Sequence, residues 1–297
     1  MTERQRLGVA PVRVRAGGAV LAAGLLVCTC ATGCAGGNAA AEDARAPADP
    51  VRTLRRAPDV LLEAGSARTR TSMEMAAGGT RVTIRGEGAY DFRGQRGRLT
   101  LVLPQDPTGA AEHVPITELL APGALFMKNR GAGVPADKWV RIDTATLVDG
   151  NLVTGGATDP YTAAEVLRGT RTAAFVGRTE VAGVAVRHYR GTADLALAAK
   201  SASAAGGTAV QATLRAAAKG FATATVPFDV YLDDQGRVRK IRQRFAFVNG
   251  QRSSRTVAVH STTVLYAFGT PVTVTLPRAQ DIYTGRIAEK QTQNGQE

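Results

Sequence analysis

Between residues 226 and 248, apolar and polar positions alternate along the chain. Phe228, Val230 and Leu232 alternate with Asp229, Tyr231 and Asp233. A period of two is that of a strand with one buried face. Asp233-Asp234-Gln235-Gly236 follows, with turn formers first and a glycine last. That order predicts a type I turn closed by a left-handed glycine. The return strand puts Ile241, Phe245 and Phe247 on one face and Lys240, Arg242 and Arg244 on the other. The result is a long hairpin, apolar on one side and basic on the other. Its apolar face must be covered by another layer.

The same alternation recurs upstream. Met73 and Met75 share a face. Val82, Ile84, Tyr90 and Phe92 share a second, with Gly86 and Gly88 between them on the same parity. Glycines at such places permit sharp curvature or the close approach of another group. Leu99, Leu101 and Leu103 form a third row, stopped by Pro104. Three alternating runs joined by short polar turns read as an antiparallel meander. Residues 104–124 hold Pro104, Pro107, Pro115 and Pro122 and read as mostly loop. Residues 125–128 and 139–142 read as short strands. A second hairpin is predicted from 175–181 and 184–193, around Ala182-Gly183. Residues 257–266 form a further strand, and 272–276 a last short apolar run.

Three stretches carry helical signals instead. Asp49-Pro50 offers an N-cap and a proline at the first helical position, and Val51, Leu54, Leu61 and Leu62 fall near one face. The spacing predicts an amphipathic helix over 50–64, broken or kinked at Pro58. Asp159-Pro160 repeats the start signal before Ala163, Val166 and Leu167, and Gly169 ends it. Residues 208–219 are alanine-rich, with Val210, Leu214 and Ala217 on one face and Gly220 as the stop. About ten strands in runs, with three helices inserted, predict one α+β domain built on an antiparallel sheet.

The N-terminus changes the picture of where this domain works. Arg4, Arg6, Arg13 and Arg15 precede an apolar run over 19–30, and Ala31-Thr32-Gly33-Cys34 follows. A basic start, a short apolar core and small residues before a cleavage point predict an export signal over 1–33. The residues before Cys34 resemble the lipobox of bacterial lipoprotein signals, with Ala31 where leucine is usual. A plain secretory signal cut elsewhere is the alternative. With lipoprotein processing, Cys28 and Cys30 leave with the signal and Cys34 becomes the acylated lipid anchor, so the folded part carries no disulfide. Residues 34–48 read as a low-complexity tether, 49–285 as a single domain and 286–297 as a polar tail. The net charge of +12 reads first as arginines on solvated sheet faces, and it also fits anionic lipid headgroups or acidic wall polymers. Aromatics make up only 5% of residues, which argues against nucleic acid as a partner.

Catalytic chemistry is hard to assemble. His113, His188 and His260 have no partner at metal-ligand spacing, and no nucleophile elbow, phosphate loop or dinucleotide turn occurs. Asp233-Asp234 lacks the alternating oxygens of a calcium loop and reads as a solvated turn. Asp137, Asp143 and Asp149 flank or follow Trp139 without a defined pairing. In His188-Tyr189-Arg190 the first and third side chains point one way and Tyr189 the other. That places a polar spot on a strand, read as a hydrogen-bonded histidine or the mouth of a cavity.

Several phrases resemble the LppX/LprG-like envelope lipoprotein family of actinobacteria, whose fold is a LolA-like half-barrel. They are the lipobox-like residues 31–34, Asp137-Lys138-Trp139-Val140-Arg141-Ile142-Asp143, and 177–195 with its His188-Tyr189-Arg190-Gly191. Val230-Tyr231-Leu232-Asp233-Asp234-Gln235-Gly236-Arg237-Val238 and Phe268-Gly269-Thr270-Pro271-Val272 complete the set. The likeness runs loosely over 60–282. It implies a strongly curved antiparallel β-sheet, a half-barrel, with a few helices over the concave face. It also implies a non-catalytic, cofactor-free protein on the extracytoplasmic face of the cell membrane. That protein would bind an acylated lipid or glycolipid in an apolar cavity, as carrier or sensor, with an envelope transporter as a partner. The apolar rows Met73, Met75, Val82, Ile84, Leu99, Leu101, Leu103, Phe228, Val230 and Leu232 are the residues expected to line such a cavity. The same rows would equally form a filled core, in which case the protein is an interaction or accessory lipoprotein.

Overall fold

The computed structural model describes residues 49–77, 80–104, 114–131, 133–153, 157–202, 207–248 and 256–285. The expected signal, the anchor Cys34, the tether, His113 and the polar tail lie outside the described residues. Eleven antiparallel strands form one open sheet, in the order β6-β5-β4-β3-β2-β1-β11-β10-β9-β8-β7. They are β1 (Ser66–Ala77), β2 (Thr80–Asp91), β3 (Arg96–Val102), β4 (Ile116–Ala121), β5 (Ala124–Lys128), β6 (Trp139–Asp143), β7 (Thr170–Val181), β8 (Val184–Asp194), β9 (Thr225–Leu232), β10 (Val238–Val248) and β11 (Thr256–Tyr266). The helices are α1 (Pro50–Ala64), α2 (Pro160–Glu165), α3 (Leu195–Ser201) and α4 (Gly207–Gly220). This is the curved half-barrel of an α+β fold, with its helices over one face.

The strand order shows how the half-barrel is wound. The chain meanders outward from β1 to the edge strand β6, crosses to the opposite edge at β7, and meanders back until β11 pairs with β1. The crossing passes through a 3₁₀ turn at Thr144–Thr146, then α2, then a second 3₁₀ turn at Val166–Gly169. From Pro160 to Leu167 every residue of the crossing is buried. A buried crossing needs its backbone polar groups satisfied. Asp159 caps α2 through the Thr162 amide at 2.8 Å and accepts from the Tyr90 hydroxyl on β2 at 2.9 Å. The Gln243 amide on β10 donates to the Ala163 carbonyl at 3.0 Å. These contacts fix the crossing against the inner face of the sheet.

The inner face of β2 explains its glycines. A Cβ on Gly88 would sit 1.9 Å from the Arg98 carbonyl oxygen, and one on Gly86 2.5 Å from the Thr71 hydroxyl. Neighbouring groups occupy both places: Gly88 faces backbone, which a side chain there would have to displace, and Gly86 faces the Thr71 and Leu101 side chains. The 226–248 hairpin forms as read, with Gly236 at φ +79° and its amide bonded to the Asp233 carbonyl at 2.9 Å.

Three expectations change. Helix α1 runs through Pro58 without a break. The ring is buried and the lost backbone bond is a single one, while Asp49 caps the start and Gly65 closes the end with amide bonds to the Leu61 and Leu62 carbonyls. Residues 104–124 contain β4, which pairs on both sides. A fourth helix, α3, follows β8 directly, capped by Asp194 on the Leu197 amide at 2.7 Å. In the last apolar run, 272–276, Val274 and Leu276 pack on the outer face against Leu119, Phe126 and Trp139.

Candidate functional site

All ten cavity-row residues lie on the helix-covered inner face, in one apolar cluster. Met73, Ile84, Leu99, Leu101, Phe228, Val230 and Leu232 are buried; Met75, Val82 and Leu103 are partly buried. The ladder shows how they meet. One transverse row runs Tyr189–Val230–Ile241–Thr263–Thr71–Gly86–Leu101–Ile116. Val230 and Leu101 therefore belong to two apolar arms, five strands apart. Between them lies a strip of threonine and glycine. A neighbouring row runs Leu265–Thr69–Gly88–Leu99–Glu118–Met127–Val140.

The inner face is covered rather than open. The crossing segment and α1 to α4 lie over it, and Phe221 at the end of α4 stacks on Phe245 of β10 at 4.9 Å. Tyr90, Leu120, Asp159 and Thr213 help line a cavity of about 30 Å³, room for about one water. At the β3–β5 end of the sheet, Leu103, Val114, Asn129, Arg130 and Val134 line a surface pocket of about 360 Å³. Val114 is 65% exposed and the neighbouring Val102 54%. Exposed Val114 beside Leu103 gives this end an apolar lip.

The inner face also holds polar atoms without partners among the described residues. They include the hydroxyls of Thr69, Thr71 and Thr263 and both carboxyl oxygens of Glu118. Glu118 is fully buried, opposite Leu99 on β3 and Met127 on β5. Burial pushes its carboxyl up to about 8, against the opposing pull of the Arg130 charge. The sequence hid this residue because the proline-rich stretch before it was read as loop. The usable signal was the parity of Ile116, Glu118 and Leu120, a strand pattern with an acid at an apolar position.

The outer face is basic and hydrogen-bonded. Asp229 pairs with the His188 Nε2 at 2.6 Å and accepts from Arg190 Nε at 3.0 Å. Burial pushes the Asp229 carboxyl up, but the hydrogen bonds from His188 and Arg190 outweigh it and hold it below its usual range. The His188 ring stacks on Tyr231 at 4.3 Å between centroids. His188 is thus a hydrogen-bonded sheet residue. Arg242, Arg244 and His260 border a groove of about 490 Å³ beside this network. Burial, then the Arg244 charge, lowers the His260 pKa. Asp143 and Asp149 cap the turns that follow them, and Asp137 pairs loosely with Lys138 at 3.9 Å. Among the described residues no group of three or more His, Cys, Asp or Glu side chains is placed to hold a metal ion.

No protein-family model and no curated protein matches the chain. Solved structures do. LprF from Mycobacterium bovis aligns over 77% of this chain and 96% of its own, at 13% identity and a TM-score of 0.38. The lipoprotein LppX of Mycobacterium tuberculosis aligns over 76% and 97%, at 9% identity and a TM-score of 0.42. A LolA-superfamily protein from Nitrosomonas europaea aligns over 75% and 96%, at 10% identity and a TM-score of 0.33. The chain is thus similar to mycobacterial lipoproteins and to a LolA-superfamily protein, the group its sequence phrases resemble.

Proposed function

We propose that this protein is an exported lipoprotein that holds the acyl chains of a lipid on the inner face of its half-barrel, as a carrier or sensor in the cell envelope. The observation that carries this reading is the inner face itself. Two apolar arms flank a threonine–glycine strip under a cover of helices, one of them alanine-rich. Such a face has the area to take hydrocarbon and few fixed polar contacts to refuse it. Burying acyl CH₂ groups yields about 0.8 kcal/mol each, so a chain of some sixteen carbons gains on the order of 12 kcal/mol before ordering costs. Part of that gain is spent moving the cover, because the rows pack against it. Cys34 as an acylated anchor would keep the domain at the outer surface of the cytoplasmic membrane, with the tether between them. No described helix is long and apolar enough to cross a membrane. The reading assigns no catalytic step, and an envelope transporter is the partner class it implies.

The packed inner face favours a second reading, an accessory protein with a filled core that works through its basic outer face. A thermal melt separates the two. A ligand that binds only the folded state, present at a hundred times its Kd, adds about 2.7 kcal/mol, which is about 5–10 °C in a domain of this size. Delipidated protein should gain that shift with a dipalmitoyl lipid. No shift with any diacyl or triacyl lipid of the envelope would leave the filled-core reading.

A further inference from the structure

We propose that Glu118 is a ligand-recognising residue: its carboxyl, with the hydroxyls of Thr69, Thr71 and Thr263, meets ester and hydroxyl oxygens of the bound lipid. The site thereby selects oxygen-bearing acyl lipids over plain hydrocarbon. The proposal rests on the lipid-holding reading above and names the chemistry of the ligand.

Four observations support it. First, Glu118 is fully buried and neither carboxyl oxygen has a partner among the described residues. A buried polar group left unpaired is destabilising, and native proteins keep few of them without a role. Second, its strand neighbours are Leu99 and Met127, so the carboxyl stands within the apolar rows and not at a polar rim. Third, the Arg130 charge is the one that pulls against its burial, and Arg130 lines the pocket at the apolar lip. The register sets Glu118 opposite Leu99, further in from Leu103 than Ile116, which faces Leu101. Fourth, three further orphaned oxygens, on Thr69, Thr71 and Thr263, lie in the strip between the arms. Thr69 shares the Glu118 row, separated from it by Gly88 and Leu99.

The chemistry follows from the protonation state. With its pKa raised to about 8, the carboxyl is largely a neutral acid at pH 7. It then has one O–H to donate and a carbonyl to accept. A lipid ester carbonyl accepts the first, and a free lipid hydroxyl donates to the second. Threonine hydroxyls donate to ester carbonyls in the same way. A saturated hydrocarbon satisfies none of them.

The test compares two probes on the full chain after delipidation: radiolabelled 1,2-dipalmitoylglycerol and n-hexadecane, measured by equilibrium partition. Wild type should prefer the diacylglycerol. Glu118→Leu should lose about tenfold in affinity for it, the worth of one well-made hydrogen bond, and keep its affinity for hexadecane. Glu118→Gln should retain most of the diacylglycerol binding, since the amide still donates and accepts. Thr71→Val carries the same comparison at a second position if the leucine variant does not fold. Equal diacylglycerol binding by wild type and Glu118→Leu would overturn the role of Glu118 while leaving lipid binding intact. Failure of wild type to bind either probe would overturn the lipid-holding reading and this proposal with it.

Discussion

Glu118→Gln should stabilise the folded protein at pH 8 by on the order of 4 kcal/mol and change it little at pH 4.5. The folded carboxyl titrates at about 8 and its ordinary value is 4.5, because burial among Leu99 and Met127 disfavours the charge. Between those values the folded state holds a proton that the unfolded chain has released. The folded state binds more protons there, so stability falls as pH rises from about 4.5 to about 8. Each unit of separation is worth about 1.36 kcal/mol, which sets the size of the effect. Arg130 is the charged group acting on this carboxyl, and it pulls the other way. Glutamine has no proton to lose, so the variant should lack this slope. Urea melts of both proteins from pH 4.5 to 8 measure it. Parallel profiles would mean that Glu118 reaches water or a cation, and the buried neutral acid would be wrong.

Arg168→Ala should cost about 3–5 kcal/mol of stability, because it strands a buried carboxylate. Arg168 donates to Glu165 Oε2 at 2.9 Å and makes a two-pronged contact with Asp59 at 2.7 and 3.1 Å. Burial pulls the guanidinium pKa down, but the hydrogen bonds it donates to Asp59 and Glu165 outweigh burial and raise it. Glu165 is fully buried, while Asp59 is half in solvent. Losing the arginine therefore hurts most at Glu165. Glu165→Leu combined with Arg168→Leu should recover most of the loss, since the pair is removed together. The contact also joins α1 to the end of the crossing segment, two parts of the cover over the inner face. Denaturant melts of the single and double variants give the answer. A loss below about 1 kcal/mol for Arg168→Ala would mean that the clamp behaves like a surface ion pair.

The strands were the part of the fold most readable in the sequence, because one buried face forces a period of two. The 226–248 hairpin, the Leu99 row and the second hairpin all follow it. Local signals failed where they competed. The prolines of 104–124 hid β4, since Pro115 lies directly before its first residue. Pro58 was expected to break α1, but burial of its ring and two good caps outweigh one missing backbone bond. Helix α3 is only seven residues long and starts where β8 ends, so no periodicity develops; Asp194 was its one sign.

The site was legible in outline only. Alternation found the apolar rows, because a lipid wall and a packed core demand the same pattern. It could not show that the crossing segment lies over them, since that depends on β11 returning to pair with β1. It also could not show that Thr263, Thr71 and Gly86 fall in one line between the two arms. That line is set by strand register across five strands, and no local stretch records it. Glu118 stayed hidden for a local reason: the prolines before it made its stretch read as loop, although Ile116, Glu118 and Leu120 share one parity.

The most direct test of the central claim is native mass spectrometry of the chain from Ala35 onward, purified from its natural host without detergent. The account predicts an added mass that dissociates as an acylated, oxygen-bearing lipid. A clean unliganded mass, unchanged after incubation with lipids of the host envelope, would contradict it and leave a protein whose inner face is simply its core.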